Sequence, residues 1–126
     1  MRMRILVLDD DPTRHKVFDT LFAGHTLVHV YTVPQLEIQL ARRTFNLICL
    51  DHDLGDQPGK PGNGQDAAYV VAAHFATTAK PFVLIHSWNT VGARAMVNIL
   101  QEAGIPCRYR PFDQSWSRIS PRAILQ

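Results

Sequence analysis

The run Leu50-Asp51-His52-Asp53-Leu54-Gly55 ends an apolar strand-like stretch with two acids and an imidazole in consecutive positions. Carboxylates bind hard cations and imidazole moves protons near neutral pH, so this spacing points to metal-assisted acid–base chemistry. Similar endings recur along the chain. Ile5–Leu8 leads into Asp9, Asp10 and Asp11; Phe82–Ile85 leads into His86, Ser87, Trp88 and Asn89; Ile105–Tyr109 leads into Arg110. Adjacent carboxylates repel unless a cation sits between them, which makes Asp9, Asp10 and Asp51 the candidate ligands for Mg²⁺ or Mn²⁺. His52, His86 and Asp53 are the candidate catalytic groups. If the strand stays extended past Leu50, Asp51 and Asp53 point one way and His52 the other. If the chain turns at once, as Gly55 suggests, all three face one cleft. Arg110 offers a bidentate fork for phosphate. Arg14 either holds a phosphate or pairs with the acids of its own helix. Ser87 and Asn89 either contact substrate or serve as turn and N-cap residues, and Asp66 either caps a helix or folds back into the site.

These residues need elements to position them, and the pattern supplies alternating strands and helices. Ile5–Leu8 is continuously apolar, as in a strand buried on both faces. Asp11-Pro12 opens a helix with Asp as N-cap and Pro at the first helical position, and Gly24 ends it. Thr26–Tyr31 reads as a second strand, Val33 to about Arg43 as a second helix, and Leu47–Leu50 as the third strand. The segment Gly55–Gly64 holds glycines and prolines and is expected to be an irregular, mobile loop. Gln65–Thr78, Phe82–Ile85, Val91–Ala103 and Ile105–Tyr109 then read as helix, strand, helix, strand, and the tail from Asp113 carries at most a short helix. This alternation predicts an α/β flavodoxin-like sandwich with a five-stranded parallel sheet in the order 2-1-3-4-5. In such sheets ligands sit beyond the carboxyl ends of the strands at the switch point between strands 1 and 3. The polar residues gather at that edge.

Composition sets bounds on the rest. The 126 residues are 46% hydrophobic with a formal charge of +2, which predicts one core-forming domain over residues 1–126. The charge is too mild to argue for nucleic acid or an acidic membrane on its own. Cys49 and Cys107 lie in apolar runs and read as free thiols in a reducing compartment. The basic-then-apolar N-terminus is short and ends in acids, so it reads as a strand and not a signal peptide, and no apolar run reaches membrane-spanning length. A cytoplasmic location is the expectation. Gly55–Lys60 lacks the spacing and hydroxyl residue of a phosphate-binding P-loop. His15, His25, His29 and His74 show no ligand spacing. Trp88 and Trp116 could stack a base; Trp88, inside His86-Ser87-Trp88-Asn89, is the better placed.

The acidic pair Asp9-Asp10, Asp51 after the third strand and a basic residue before Pro-Phe in Arg108-Tyr109-Arg110-Pro111-Phe112 resemble the response-regulator receiver domain, over roughly Arg4 to Phe112. In that family the pair holds magnesium and the third-strand Asp accepts a phosphoryl group. A lysine, matched here by Arg110, pairs with the phosphate. The chain departs from that pattern. His86 stands where a receiver has a hydroxyl residue, His52 and Asp53 follow the acceptor, and the last helix looks stunted. The set of Leu8-Asp9-Asp10-Asp11 with Arg14, Leu50–Gly55, His86–Asn89 and Val91–Met96 is similar to a narrower branch, the cyclic-phosphate-processing receiver-like domains. That resemblance implies metal-assisted phosphoester processing of a small phosphorylated ligand or an RNA or nucleotide end. The alternatives are a phospho-accepting signalling module and a non-catalytic nucleotide- or protein-binding domain.

Overall fold

The computed structural model describes residues 2–55 and 62–125. Its elements are β1 (Arg4–Leu8), α1 (Pro12–Leu21), β2 (Thr26–Val30), α2 (Val33–Arg42), β3 (Leu47–Leu50), α3 (Gly64–His74), β4 (Phe82–Ile85), α4 (Thr90–Glu102), β5 (Cys107–Tyr109), a 3₁₀ turn (Gln114–Ser117) and α5 (Pro121–Ile124). The five strands are parallel in the order β2-β1-β3-β4-β5, as the alternation predicts. The middle strands are apolar on both faces because both faces are covered. Leu6, Leu8, Ile48, Leu50, Val83 and Ile85 pack under α2, α3 and α4. Ile5, Val7, Leu47, Cys49 and Leu84 alternate with them and pack against Phe18 and Leu21 of α1, Trp116 and Ile124. A stunted last helix is what the structure has: α5 is four residues long, and the tail's Trp116 completes that second layer.

Caps fix where the helices start. Asp11 accepts from Thr13 N–H with Pro12 behind it, and Thr32 caps α2. Asn63 and Asp66 form a reciprocal capping box on α3, which is the role Asp66 takes. Two expected boundaries move by more than one residue. Helix α3 stops at His74 instead of Thr78, because Phe75 turns into the core as its C-cap and the threonines after it are poor helix formers. Strand β5 begins at Cys107 instead of Ile105, because Pro106 has no N–H and Ile105 N–H returns to Leu100 O. Most of the expected Gly55–Gly64 loop, residues 56–61, lies outside the described residues. Cys49 and Cys107 are both free, and burial pushes the Cys49 thiol up. No described helix is long and apolar enough to cross a membrane.

Candidate functional site

Leu8, Leu50 and Ile85 stand in register across β1, β3 and β4. Asp9, Asp51 and His86 each lie one residue further on, and the ladder continues through Asp51 N–H to Leu8 O and His86 N–H to Leu50 O. The three side chains therefore extend the face that Val7, Cys49 and Leu84 turn toward α1. Ligand atoms of Asp9, Asp51 and His86 come within 4.8 Å of one another, and all three residues are buried. Pairing alone builds this row from residues far apart in the chain.

Asp9 is the most heavily bonded of them. One oxygen accepts from Asp11 N–H at 2.8 Å and Arg14 Nη2 at 2.8 Å; the other accepts from Arg14 Nε at 2.7 Å and His86 Nε2 at 2.8 Å. Burial alone would raise this carboxyl, but the bonds from His86 and Arg14 outweigh it and hold Asp9 well below the usual carboxylate range. Burial raises Asp51, and the neighbouring Asp9 charge adds to it; burial and Asp9 likewise raise Asp10. Arg14 reaches Asp10 and Asp51 only at 3.4 Å. Its guanidinium thus neutralises Asp9 and leaves Asp10 and Asp51 crowded. That is a donor set into which a divalent cation fits, since hard carboxylate oxygens and an excess of negative charge are both present.

His86 is held differently. Its ring sits among Phe18, Phe112 and Trp116, with centroids 5.0, 6.4 and 6.1 Å away, and its Nδ1 is buried without a hydrogen-bond partner. An imidazole that ligates a metal through Nε2 carries its proton on Nδ1 and needs an acceptor there. None stands beside it among the described residues. The geometry suits Nε2–H as a donor to Asp9 and leaves only a lone pair in the aromatic cage.

A cleft of about 240 Å³ opens over this row, lined by Asp10, Arg14, Asp51, Asp53, His86, Ser87, Trp88 and Phe112. Seven of the residues singled out from sequence thus share it, and Asp9 lies beneath Arg14. His52, Asn89 and Arg110 are not in the lining. His52 follows strand alternation to the opposite face, where its ring lies on α4 so closely that a Cβ on Gly92 would come within 2.4 Å. Its Nδ1 lies 2.7 Å from Asp53 Oδ1 and its Nε2 lies 3.3 Å from the Gln65 amide. The His52 hydrogen bond, helped by one from Asn89, holds the exposed Asp53 below the usual range. Asn89 also caps α4 by accepting from Gly92 N–H. Arg110 stands at the matching row position on β5, but its guanidinium donates to Ala123 O in α5.

One arrangement had no signal in the spacing. His15, in α1, donates through Nε2 to Asp9 O at 2.8 Å, and its Nδ1 meets Nδ1 of His29, whose Nε2 lies 2.7 Å from Asp19. Carbonyl and carboxylate can only accept, so both Nε2 atoms carry hydrogens. Burial, with the neighbouring His29, lowers His15. Helix α1, β1 and β2 are thereby pinned together at the backbone of Asp9.

A parallel 2-1-3-4-5 sheet with acids and a basic residue at its carboxyl edge defines a receiver fold. Solved structures agree. The CheY-like receiver domain from Methanospirillum hungatei JF-1 is 19% identical, with 99% of this chain and 89% of that chain covered and a TM-score of 0.66. The signal receiver domain of a Luxo repressor protein from Vibrio parahaemolyticus is 21% identical, with 99% and 91% covered and a TM-score of 0.67. A response regulator protein from Burkholderia pseudomallei, solved with a phosphorylated aspartic acid, calcium and citrate, is 15% identical, with 87% and 61% covered and a TM-score of 0.62. At these identities the likeness shows the fold alone. The model of the cyclic-phosphate processing receiver domain matches residues 4–102, and the chain belongs to that family. A search among curated proteins found no match.

Proposed function

We propose that the chain is a divalent-metal-dependent phosphoesterase that opens cyclic phosphates on nucleotides or RNA ends. The observation that carries this reading is His86, an imidazole with Nε2 2.8 Å from Asp9, lining one cleft with Asp51. Asp51 and Asp10 would hold the cation, with Asp9 behind them, and a bound Mg²⁺ or Mn²⁺ would acidify water and offset phosphoryl charge. His86 Nε2 is the ring nitrogen open to the cleft, so it moves its proton from Asp9 to the leaving oxygen. Asp53, oriented by His52, takes the proton of the attacking water. One P–O bond of the ring breaks, one P–O bond to water forms, and the product is a phosphomonoester with a free hydroxyl. Arg14 keeps Asp9 ionised through each turnover. Arg110 would reach phosphate only by releasing Ala123 O.

The test is a panel of 2′,3′-cyclic nucleotides, 3′,5′-cyclic nucleotides and RNA ends bearing a cyclic phosphate, with Mg²⁺ or Mn²⁺. One member is expected to be consumed. His86→Ala and the more conservative His86→Gln are expected to lose about 10²- to 10⁴-fold in kcat with little change in KM. His74→Ala, on the exposed end of α3, should change neither. A panel left intact refutes the reading. The position of Asp51 at the end of β3 favours a second reading, acceptance of a phosphoryl group. A long-lived phosphoryl adduct on Asp51 after acetyl phosphate, detected by intact mass, would establish that one instead.

A further inference from the structure

The two tryptophans have opposite fates. Trp116 is fully buried, whereas Trp88 is 71% exposed, so packing does not explain its place. It is not loose either. Its indole Nε1–H donates to Phe112 O, and Asn89 next to it begins α4. The pinned ring stands on the rim of the cleft that also holds Asp51, Asp53 and His86. With its one donor spent, what the indole offers a ligand is its π-face and apolar edge.

The size of the cleft says where the rest of a substrate must go. Sites that enclose whole small molecules usually measure roughly 300–1,000 Å³. At about 240 Å³ this one accommodates a cyclic phosphate and part of a sugar, and whatever the sugar carries is left at the mouth. Trp88 is two residues from His86, so their Cα atoms are at most about 7 Å apart, a span that a single nucleotide bridges.

Resting on the phosphoesterase reading, we propose that Trp88 is a stacking platform for the base of the substrate, so that the substrate class is base-bearing: a nucleoside cyclic phosphate or the terminal nucleotide of an RNA. Stacking is tolerant of base identity because every base has a π-face. The site therefore requires a base without selecting one.

The probes are adenosine 2′,3′-cyclic monophosphate, an oligoribonucleotide ending in a 2′,3′-cyclic phosphate, and glycerol 1,2-cyclic phosphate, which has no base. Binding is measured by calorimetry and by tryptophan emission, in which Trp88 is the exposed reporter. The base-bearing probes should quench wild-type emission. Trp88→Ala should weaken them roughly tenfold to hundredfold, while Trp88→Phe keeps most of the affinity. Glycerol cyclic phosphate should bind all three proteins alike. The ratio of the two base-bearing affinities distinguishes a free nucleotide from an RNA end. Base-bearing probes held equally by wild type and Trp88→Ala overturn the platform, even if they are turned over. An equal loss for the glycerol probe also overturns it, since Trp88 would then only shape the cleft. Calorimetric affinity for the base-bearing probes lost in Trp88→Ala without turnover of any probe sustains the platform and removes the phosphoesterase. Binding of none of the probes removes both.

Discussion

Replacing Gly64 by alanine separates close packing from helix propensity. Gly64 opens α3, where alanine is intrinsically better by up to about 1 kcal/mol, so propensity alone predicts a more stable protein. The structure predicts the opposite. A Cβ on Gly64 would lie 2.4 Å from Asp51 O, 2.5 Å from His52 Cα and 2.6 Å from Met96 Sδ. Two of those neighbours are backbone, and to reach even 3.0 Å from the carbonyl something must move by about 0.6 Å, the difference between 3.0 and 2.4. Such overpacking costs about 1–3 kcal/mol or more. The bond from Gly64 N–H to His52 O, now 2.7 Å, would weaken by about another 1 kcal/mol. Less the propensity gain, the net loss is about 1–3 kcal/mol. For 126 residues at ~2.1 cal/mol/K each, 1 kcal/mol corresponds to about 4 °C, so the midpoint should fall by about 4–11 °C. Gly24→Ala is the comparison: its φ of +90° disfavours a side chain, but nothing lies within 4 Å, so about 1–2 kcal/mol and 4–8 °C are expected. Calorimetric or denaturant midpoints of the two variants decide the matter. A Gly64→Ala protein as stable as wild type, or more stable as propensity alone predicts, refutes the reasoning.

Trp116→Ala removes a fully buried ring that touches Phe18, Phe112 and His86, and should cost about 3–5 kcal/mol by chemical denaturation, with Trp116→Phe losing less. For pH, His15 has its folded value lowered by burial, so the folded chain refuses a proton that the unfolded chain accepts near pH 6.5. The stability tied to His15 is whole above that pH and declines as pH falls toward the folded value, so the midpoint of His15→Gln should drop less than that of wild type between pH 7 and 5.5. Parallel pH–midpoint curves for the two proteins would remove this assignment.

The strands were legible because each is a short apolar run bounded by charge or turn residues, and Leu47–Leu50 and Phe82–Ile85 have the expected bounds. Alternation also carried the site: Asp51 and Asp53 face the cleft and His52 does not, the first of the two backbone alternatives. Periodicity says which face a residue takes, but not which side chain it meets there. Arg14 was readable as a helix residue, yet its convergence on Asp9 depends on how α1 lies over β1. His15 and His29 meet only because β2 pairs with β1 beneath α1. Trp116 sits in a tail without periodicity, so nothing in its neighbours places it beside His86.

That aromatic cage has a consequence in time. A ribosome makes β1, β3 and β4 before it reaches Phe112 and Trp116, and thirty residues separate His86 from Trp116 (116 less 86). At roughly 5–20 residues per second, Trp116 joins the chain about 2–6 s after His86. Until the tail packs, the wall that Phe112 and Trp116 give the His86 ring is missing, and Nδ1 is open to water. Strand pairing alone lines up the carboxylates, but the histidine acquires its one-sided, Nε2-only character when the tail folds down over Phe18.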